Sequence, residues 1–431
     1  MQQVYDNKPY KYTKMLKITL ILYIITTLIT LINTYVSHLF GGITIYTVYY
    51  LPVVIILLYI LSDIIRRNNR NYINKKYLYY FLFFALVYFI DFQFIAENNK
   101  YEKIFMGINF NINAFQLINI VPVFLIAWYI LQKKDKRFNQ KLDYIIIISF
   151  VINAILTLKV LYTNPLAAKI LATGEGGSEY LLKGASGFNV LYSSVLFVPC
   201  LFFLISEFKG IRKFLYISVL ILILVYIYMC GYVTAILATI LSISIYLFLN
   251  SNKIIKVFLV IPIIFIFTFI INRDIIYDFF IYFSNIINID QISIRFHDIA
   301  NMIKYGDTSA DSLMRLDLYM NSIRAFKISP ILGVFYIDPN YSLSGHSTIL
   351  DILGGTGLFG FIPFIITIIY SYKNSIKNLE KKKYKNCIIS CYVTFIFISL
   401  LNPQLASPNV LIILMIAIPI IPDINCDEVF I

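Results

Sequence analysis

Charge is scarce in this chain: 14% of residues are Asp, Glu, Lys or Arg, against 59% hydrophobic. That balance excludes an ordinary soluble domain, in which about a quarter of residues are charged. Histidine and tryptophan are nearly missing, with 3 and 1 copies, and 5 cysteines give no disulfide framework. Cys200, Cys230, Cys387 and Cys391 lie in or beside apolar runs, and Cys426 lies in the tail. Cys387 and Cys391 share a helix face at four-residue spacing, but no nearby histidine or third thiol completes a metal set in the sequence. They read as ordinary membrane cysteines, and no metal is expected. No repeat of solenoid length and no low-complexity linker divides the chain, so residues 1–431 read as a single integral membrane domain. A net charge of +13 would suit a polyanion, yet the tyrosines and phenylalanines sit within apolar runs rather than between lysines. No nucleic-acid surface follows from that pattern.

What the chain does have is apolar length. A bilayer helix needs about 20 mostly apolar residues. Twelve stretches qualify: 18–36, 42–62, 77–95, 112–132, 142–162, 188–206, 214–230, 232–249, 255–271, 347–370, 387–401 and 408–422. The first follows Lys8, Lys11, Lys14 and Lys17; it is longer than a signal-peptide core, and no cleavage pattern follows, so it is expected to be a retained span. The expected fold is an all-α polytopic membrane protein of about 12 transmembrane helices. With the N-terminus inside, the inner segments carry 25 Lys and Arg and the outer ones 10. The positive-inside rule therefore expects both termini in the cytoplasm and residues 272–346 as one large outer loop. Asp91 and Lys159 fall near outer span ends and read as snorkelling side chains.

The outer loop holds six Lys and Arg against eight Asp, a net of about −2, so it is no diffuse basic funnel. An anion there must be gripped by particular side chains. Within it, residues 312–328 fit an amphipathic helix at the membrane interface. Leu313, Leu316, Met320, Ile323 and Phe326 repeat at helical spacing, Asp311 or Ser312 can cap it, and Pro330 stops it. Arg315 and Arg324 are nine positions apart and face opposite ways, so only one can meet a given ligand. Arg315 is the candidate, either paired with Asp311 or Asp317 or presenting its planar fork to a phosphate. His346 opens the next span between Gly345 and Ser347; it is either a plain interfacial histidine or a proton acceptor near neutral pH. Asp351, one turn in, is a packing partner or a holder of a substrate hydroxyl. Gly354, Gly355, Gly357 and Gly360 point to close packing or a helix break. In the 163–187 loop, Lys183 is either a further cation or a snorkelling lysine.

Three signatures make the chain resemble the superfamily of O-antigen ligases and Wzy-type polysaccharide polymerases. An arginine precedes a helix and Pro-x-x-Gly, here Arg315-Leu-Asp-Leu-Tyr319 through Ser329-Pro330-Ile-Leu-Gly333. A histidine opens the next span ahead of Gly-x-x-Gly, here His346 and Gly357-Leu-Phe-Gly360. A glycine–asparagine pair, Gly187-Phe-Asn189, re-enters the membrane after the earlier loop. The chain departs from the pattern at Cys230-Gly231-Tyr232, where many relatives have Ser-Arg, and at Lys183, near where many have an arginine. The resemblance implies a metal-independent, cofactor-free inverting glycosyltransferase in a bacterial cytoplasmic membrane, joining undecaprenyl-diphosphate-linked oligosaccharides into capsule or O-antigen. Arg315, with Arg295 and Lys183, would hold the donor diphosphate. His346 would serve the acceptor hydroxyl, and Asn189 and Asp351 would contact substrate. A flippase and a chain-length regulator are the implied partners. A ligase with another acceptor, and a lipid-oligosaccharide transporter, are the alternatives.

Overall fold

The computed structural model describes residues 14–39, 54–58, 75–96, 102–105, 108–130, 135–173, 177–251, 273–286, 293–294, 296–297, 300–301, 311–376, 379 and 381–425. Helices dominate: α1 (Lys14–Leu28), α2 (Thr30–Leu39), α3 (Lys75–Ile90), α4 (Ile112–Ile130), α5 (Lys136–Thr163), α6 (Ala167–Thr173) and α7 (Ser178–Leu182) come first. Then follow α8 (Phe188–Glu207), α9 (Gly210–Met229), α10 (Val233–Asn250), α11 (Arg273–Ile286), α12 (Asp311–Ile328), α13 (Thr348–Ile376), α14 (Lys382–Leu401) and α15 (Pro408–Ile412). Residues 54–58 are also helical. A short antiparallel hairpin, β1 (Glu102–Phe105) with β2 (Ile108–Asn111), is set into an otherwise helical fold. In β2 apolar Ile108 and Phe110 alternate with Asn109 and Asn111, which suits the two faces of a ribbon.

Seven helices among the described residues are long and apolar enough to cross a bilayer: Lys76–Ile95, Lys136–Thr163, Phe188–Glu207, Gly210–Met229, Val233–Asn250, Thr348–Ile376 and Lys382–Leu401. This is a helical membrane protein by composition and length. The expected spans at 255–271 and over most of 42–62 lie outside the described residues.

Two other spans are present in altered form. The first is broken at Ile29, and the break is held by a side chain from α5. Asn153 donates to Leu28 O at 2.6 Å and accepts from Thr30 N at 3.1 Å, replacing the helical bonds lost there. The last consists of α15, a wider π turn over Ile413–Ala417 and the single turn Ile418–Ile420. Pro419 has no N–H to continue the ladder.

α8 is the most enclosed span and packs against α9, α10, α14 and α15. Rings fill the larger gaps: Phe81 stacks on Phe124 at 4.0 Å, and Phe203 meets Tyr384 at 4.9 Å. Between helices, polar side chains bond to backbone, as lipid surroundings favour. Ser390 donates to Ser242 O at 2.6 Å, and Asn386 donates to Leu249 O at 3.1 Å. Ion pairs Lys17–Asp135 (2.7 Å) and Lys381–Glu207 join helix ends that the charge count assigns to the inner face. Lys159 is exposed, as a snorkelling lysine should be. Asp91 is not: it is 1% exposed, in a π turn that ends the third expected span. The snorkelling assignment for Asp91 is therefore corrected.

Candidate functional site

The two glycine motifs are halves of one joint. α13 breaks at Gly357, whose φ of 57° and ψ of −161° lie outside what side-chain-bearing residues adopt. A break inside a span frees backbone N–H groups that must find partners. The Pro330 turn supplies them: Leu358 N donates to Pro330 O at 2.8 Å and Phe359 N donates to Ile331 O at 3.0 Å. Gly333, at φ 94°, approaches so closely that a Cβ on it would lie 1.9 Å from Gly355 O. Phe92 and Phe335, edge to face at 5.1 Å, close over Gly355. These glycines serve close approach and a break.

This joint fixes α12 against α13. The buried side of α12 carries Ser322 and Ala325, followed by Ser329, while Met320 is exposed and Ile323 and Phe326 are half-buried. The described part of α12 thus turns small side chains toward protein, with Met320 on the outside. Gly354 admits α12 closely, since a Cβ there would lie 2.7 Å from Ser322 O.

One carboxylate oxygen organises the contact. Asp351 Oδ1 accepts from Ser322 Oγ at 2.6 Å, Ser344 Oγ at 2.6 Å and Ser344 N at 3.1 Å. Ser344 Oγ also accepts from His346 N at 3.1 Å, so the same cluster fixes the backbone that carries His346. These bonds make Asp351 an anchor between α12, the His346 loop and α13. Asp351→Ala should strand the donors of Ser322 and Ser344, at about 1–3 kcal/mol. Asp351→Asn keeps an acceptor oxygen and should lose less. Thermal unfolding in detergent checks this, and equal losses would count against the anchor.

His346 is half-buried at the mouth of α13. The helix start beside it is already occupied: Thr348 N donates to Asn402 O at 3.3 Å, and Leu350 N donates to Ser347 Oγ at 3.2 Å. Two of the free donors expected there for an anion are thus taken, and the burden shifts to cationic side chains. Arg315 stands on α12 four positions before Tyr319 and seven before Ser322, so the three share one side of the helix by register. Tyr319 donates to Leu401 O at 2.9 Å, while Ser322 reaches Asp351. The side of α12 that carries Tyr319 and Ser322 therefore turns toward the His346 loop and the end of α14.

A polar elbow completes this region, and sequence reasoning passed over it. It follows α14 and runs from Asn402 to Ser407. Tyr192 of α8 donates to Asn402 Oδ1 at 3.2 Å, and Leu405 N donates to Thr348 Oγ at 3.2 Å. Yet several buried atoms have no hydrogen-bond partner among the described residues: Asn402 Nδ2, both amide atoms of Gln404, Ser407 Oγ and Asn189 Oδ1. Unmade bonds of this kind are costly and rare, and they gather where α8, α13 and α14 end. The available signal was Asn402-Pro403-Gln404, a polar interruption between the last two apolar runs.

Of the other candidates, Arg295 lies outside the described residues. Lys183 is exposed, pairs with Glu179 at 2.5 Å and lies over the Tyr180 ring at 5.7 Å. The hydrogen bond and charge of Glu179 hold its pKa above the ordinary lysine value. These are the partners that the structure gives Lys183 among the described residues. Asp91, near the joint, takes no close hydrogen bond on either carboxylate oxygen among the described residues, and Tyr336 is the polar group beside it. No protein-family model and no curated protein matches the chain.

Proposed function

We propose that the chain is a membrane glycosyltransferase that polymerises oligosaccharides carried on a lipid diphosphate, at the outer face of the membrane. The observation that carries this function is the lock between α12 and the His346 loop, made by Ser322, Asp351 and Ser344. It holds the side of α12 that carries Ser322 against the loop of His346, and Arg315 shares the register of that side, which supports the reading.

In this scheme Arg315, with Arg295, offsets the charge of the diphosphate leaving group. The acceptor hydroxyl attacks the anomeric carbon, the bond from that carbon to the diphosphate oxygen breaks, and the hydroxyl proton passes to the His346 ring. Asn189, Asn402 and Gln404 offer donors and acceptors of the kind that sugar hydroxyls need. Asp351 positions and does not react, and Lys183, engaged by Glu179, is left out.

A transporter would present broken-helix ends to its cargo. Here the freed N–H groups of Leu358 and Phe359 are bound by Pro330 and Ile331, which favours the enzyme. A ligase would share the chemistry and differ in acceptor. Arg315→Ala in cells tests the proposal: membrane protein stays at normal levels, while the lipid carries single repeat units only. Long chains persisting in that variant would overturn it.

A further inference from the structure

We propose that Cys200, Cys387 and Cys391 form a site for monovalent copper between α8 and α14. The sequence shows two of these thiols on one helix face and no third. The fold brings the third from α8, 191 positions away from Cys391. Cys200 Sγ lies 3.8 Å from Cys391 Sγ and 3.7 Å from Cys387 Sγ, and all three sulfurs fall within 4.8 Å of one another. All three residues are 0% exposed.

A metal at about 2.3 Å from three coplanar sulfurs holds them about 4.0 Å apart. The sulfurs already stand close to that separation, so the helices need little movement to accept an ion. Without metal the thiols are modestly satisfied: Cys387 donates to Cys200, and Cys391 donates to Leu196 O at 3.3 Å.

Ligand number selects the ion. Among the described residues no fourth Cys, His, Asp or Glu joins the group, and all three thiols are buried. Structural zinc wants four ligands. Monovalent copper is soft, prefers sulfur and is content with two or three donors. Charge agrees. One thiol gives up one proton as one Cu⁺ enters, so a thiolate with two thiols leaves the filled site neutral, which an apolar interior favours. No electron changes hands if copper arrives as Cu⁺. A filled site would tie α8, which carries Asn189 and Tyr192, to α14, which leads into the Asn402 elbow.

The test uses the full chain in detergent, from cells grown with and without added copper. The copper-free sample is then titrated anaerobically with Cu⁺ supplied as its bathocuproine complex with ascorbate. After desalting, wild type should retain about one copper per chain, with three sulfur neighbours at about 2.3 Å by X-ray absorption. Cys200→Ser and Cys391→Ser should retain under about a fifth of that, and Cys230→Ser should match wild type. Should serine at these buried positions prevent a single species on gel filtration, Cys200→Ala and Cys391→Ala take its place. Wild type holding no copper by either route, nitrogen or oxygen neighbours in the spectrum, or equal copper in the Cys200 variants would each overturn the site.

Discussion

Gly357→Ala should remove nearly all folded protein from the membrane. At φ 57° and ψ −161° an alanine is strained, which costs on the order of 1–3 kcal/mol. The added Cβ would also meet Ile331 O at 2.4 Å and Gly333 N at 2.6 Å, backbone atoms with no rotamer through which to retreat. Gly333→Ala should fare as badly, because its Cβ would meet Gly355 O at 1.9 Å with φ already 94°. Together, strain and overlap should exceed about 4 kcal/mol, a large share of a protein's marginal stability. Gly345→Ala separates the two effects. Its φ is 64° but nothing lies within 4 Å of the added carbon, so strain alone should cost about 1 kcal/mol. Yield of monodisperse protein and its melting temperature give the ranking. Normal yields for Gly357→Ala would mean that the Pro330 turn does not sit in the break.

Arg315→Ala should lower chain extension by about 10²–10³-fold at unchanged protein level, the usual cost of removing a preorganised charge aimed at a leaving group. Arg315→Lys keeps the charge and loses the planar fork that grips two phosphate oxygens at once, so it should recover only part of the rate. The competing structural role, an ion pair with Asp311 or Asp317 near the start of α12, makes a different prediction. In that case Arg315→Lys should restore activity fully, and any loss in Arg315→Ala should follow protein stability. Rates of extension measured beside melting temperatures for the two variants separate the roles.

Local signals carried some elements well. The repeat from Leu313 to Phe326 and the stop at Pro330 placed a helix at 312–328, and the structure has Asp311–Ile328. The apolar runs placed seven spans, and the run of glycines from Gly354 to Gly360 announced a break or a close approach. Partnership across the chain was not legible. No residue near Ile29 signals a break, because the break depends on Asn153 in another helix. That Cys200 stands beside Cys387 and Cys391 was not legible for the same reason. Asp91 looked able to reach the interface, but Phe92, Phe335 and Tyr336 surround that part of the fold and it is enclosed.

At the site, spacing gave His346 and the helix bearing Arg315, but not which side of that helix meets protein. The apolar stripe of Leu313, Leu316, Met320, Ile323 and Phe326 drew attention, while among the described side chains Ser322 and Ala325 make the docking against Gly354 and Asp351. Small polar residues pack well between membrane helices because backbones approach closely there, and their pattern carries no hydrophobic period to read. The Asn402–Ser407 elbow escaped for a related reason: a short polar turn between apolar runs looks like any loop until burial shows the Gln404 amide and Asn402 Nδ2 without hydrogen-bond partners among the described residues.

The most direct measurement of the central claim uses sealed membrane vesicles containing the chain, given a lipid-diphosphate-linked repeat unit on the face where α12 and the His346 loop lie. The account predicts a ladder of products, each longer by one repeat, with free lipid diphosphate released at every step and no ladder from Arg315→Ala vesicles. Repeats carried across the bilayer at their original length, or a ladder undiminished by Arg315→Ala, would contradict it.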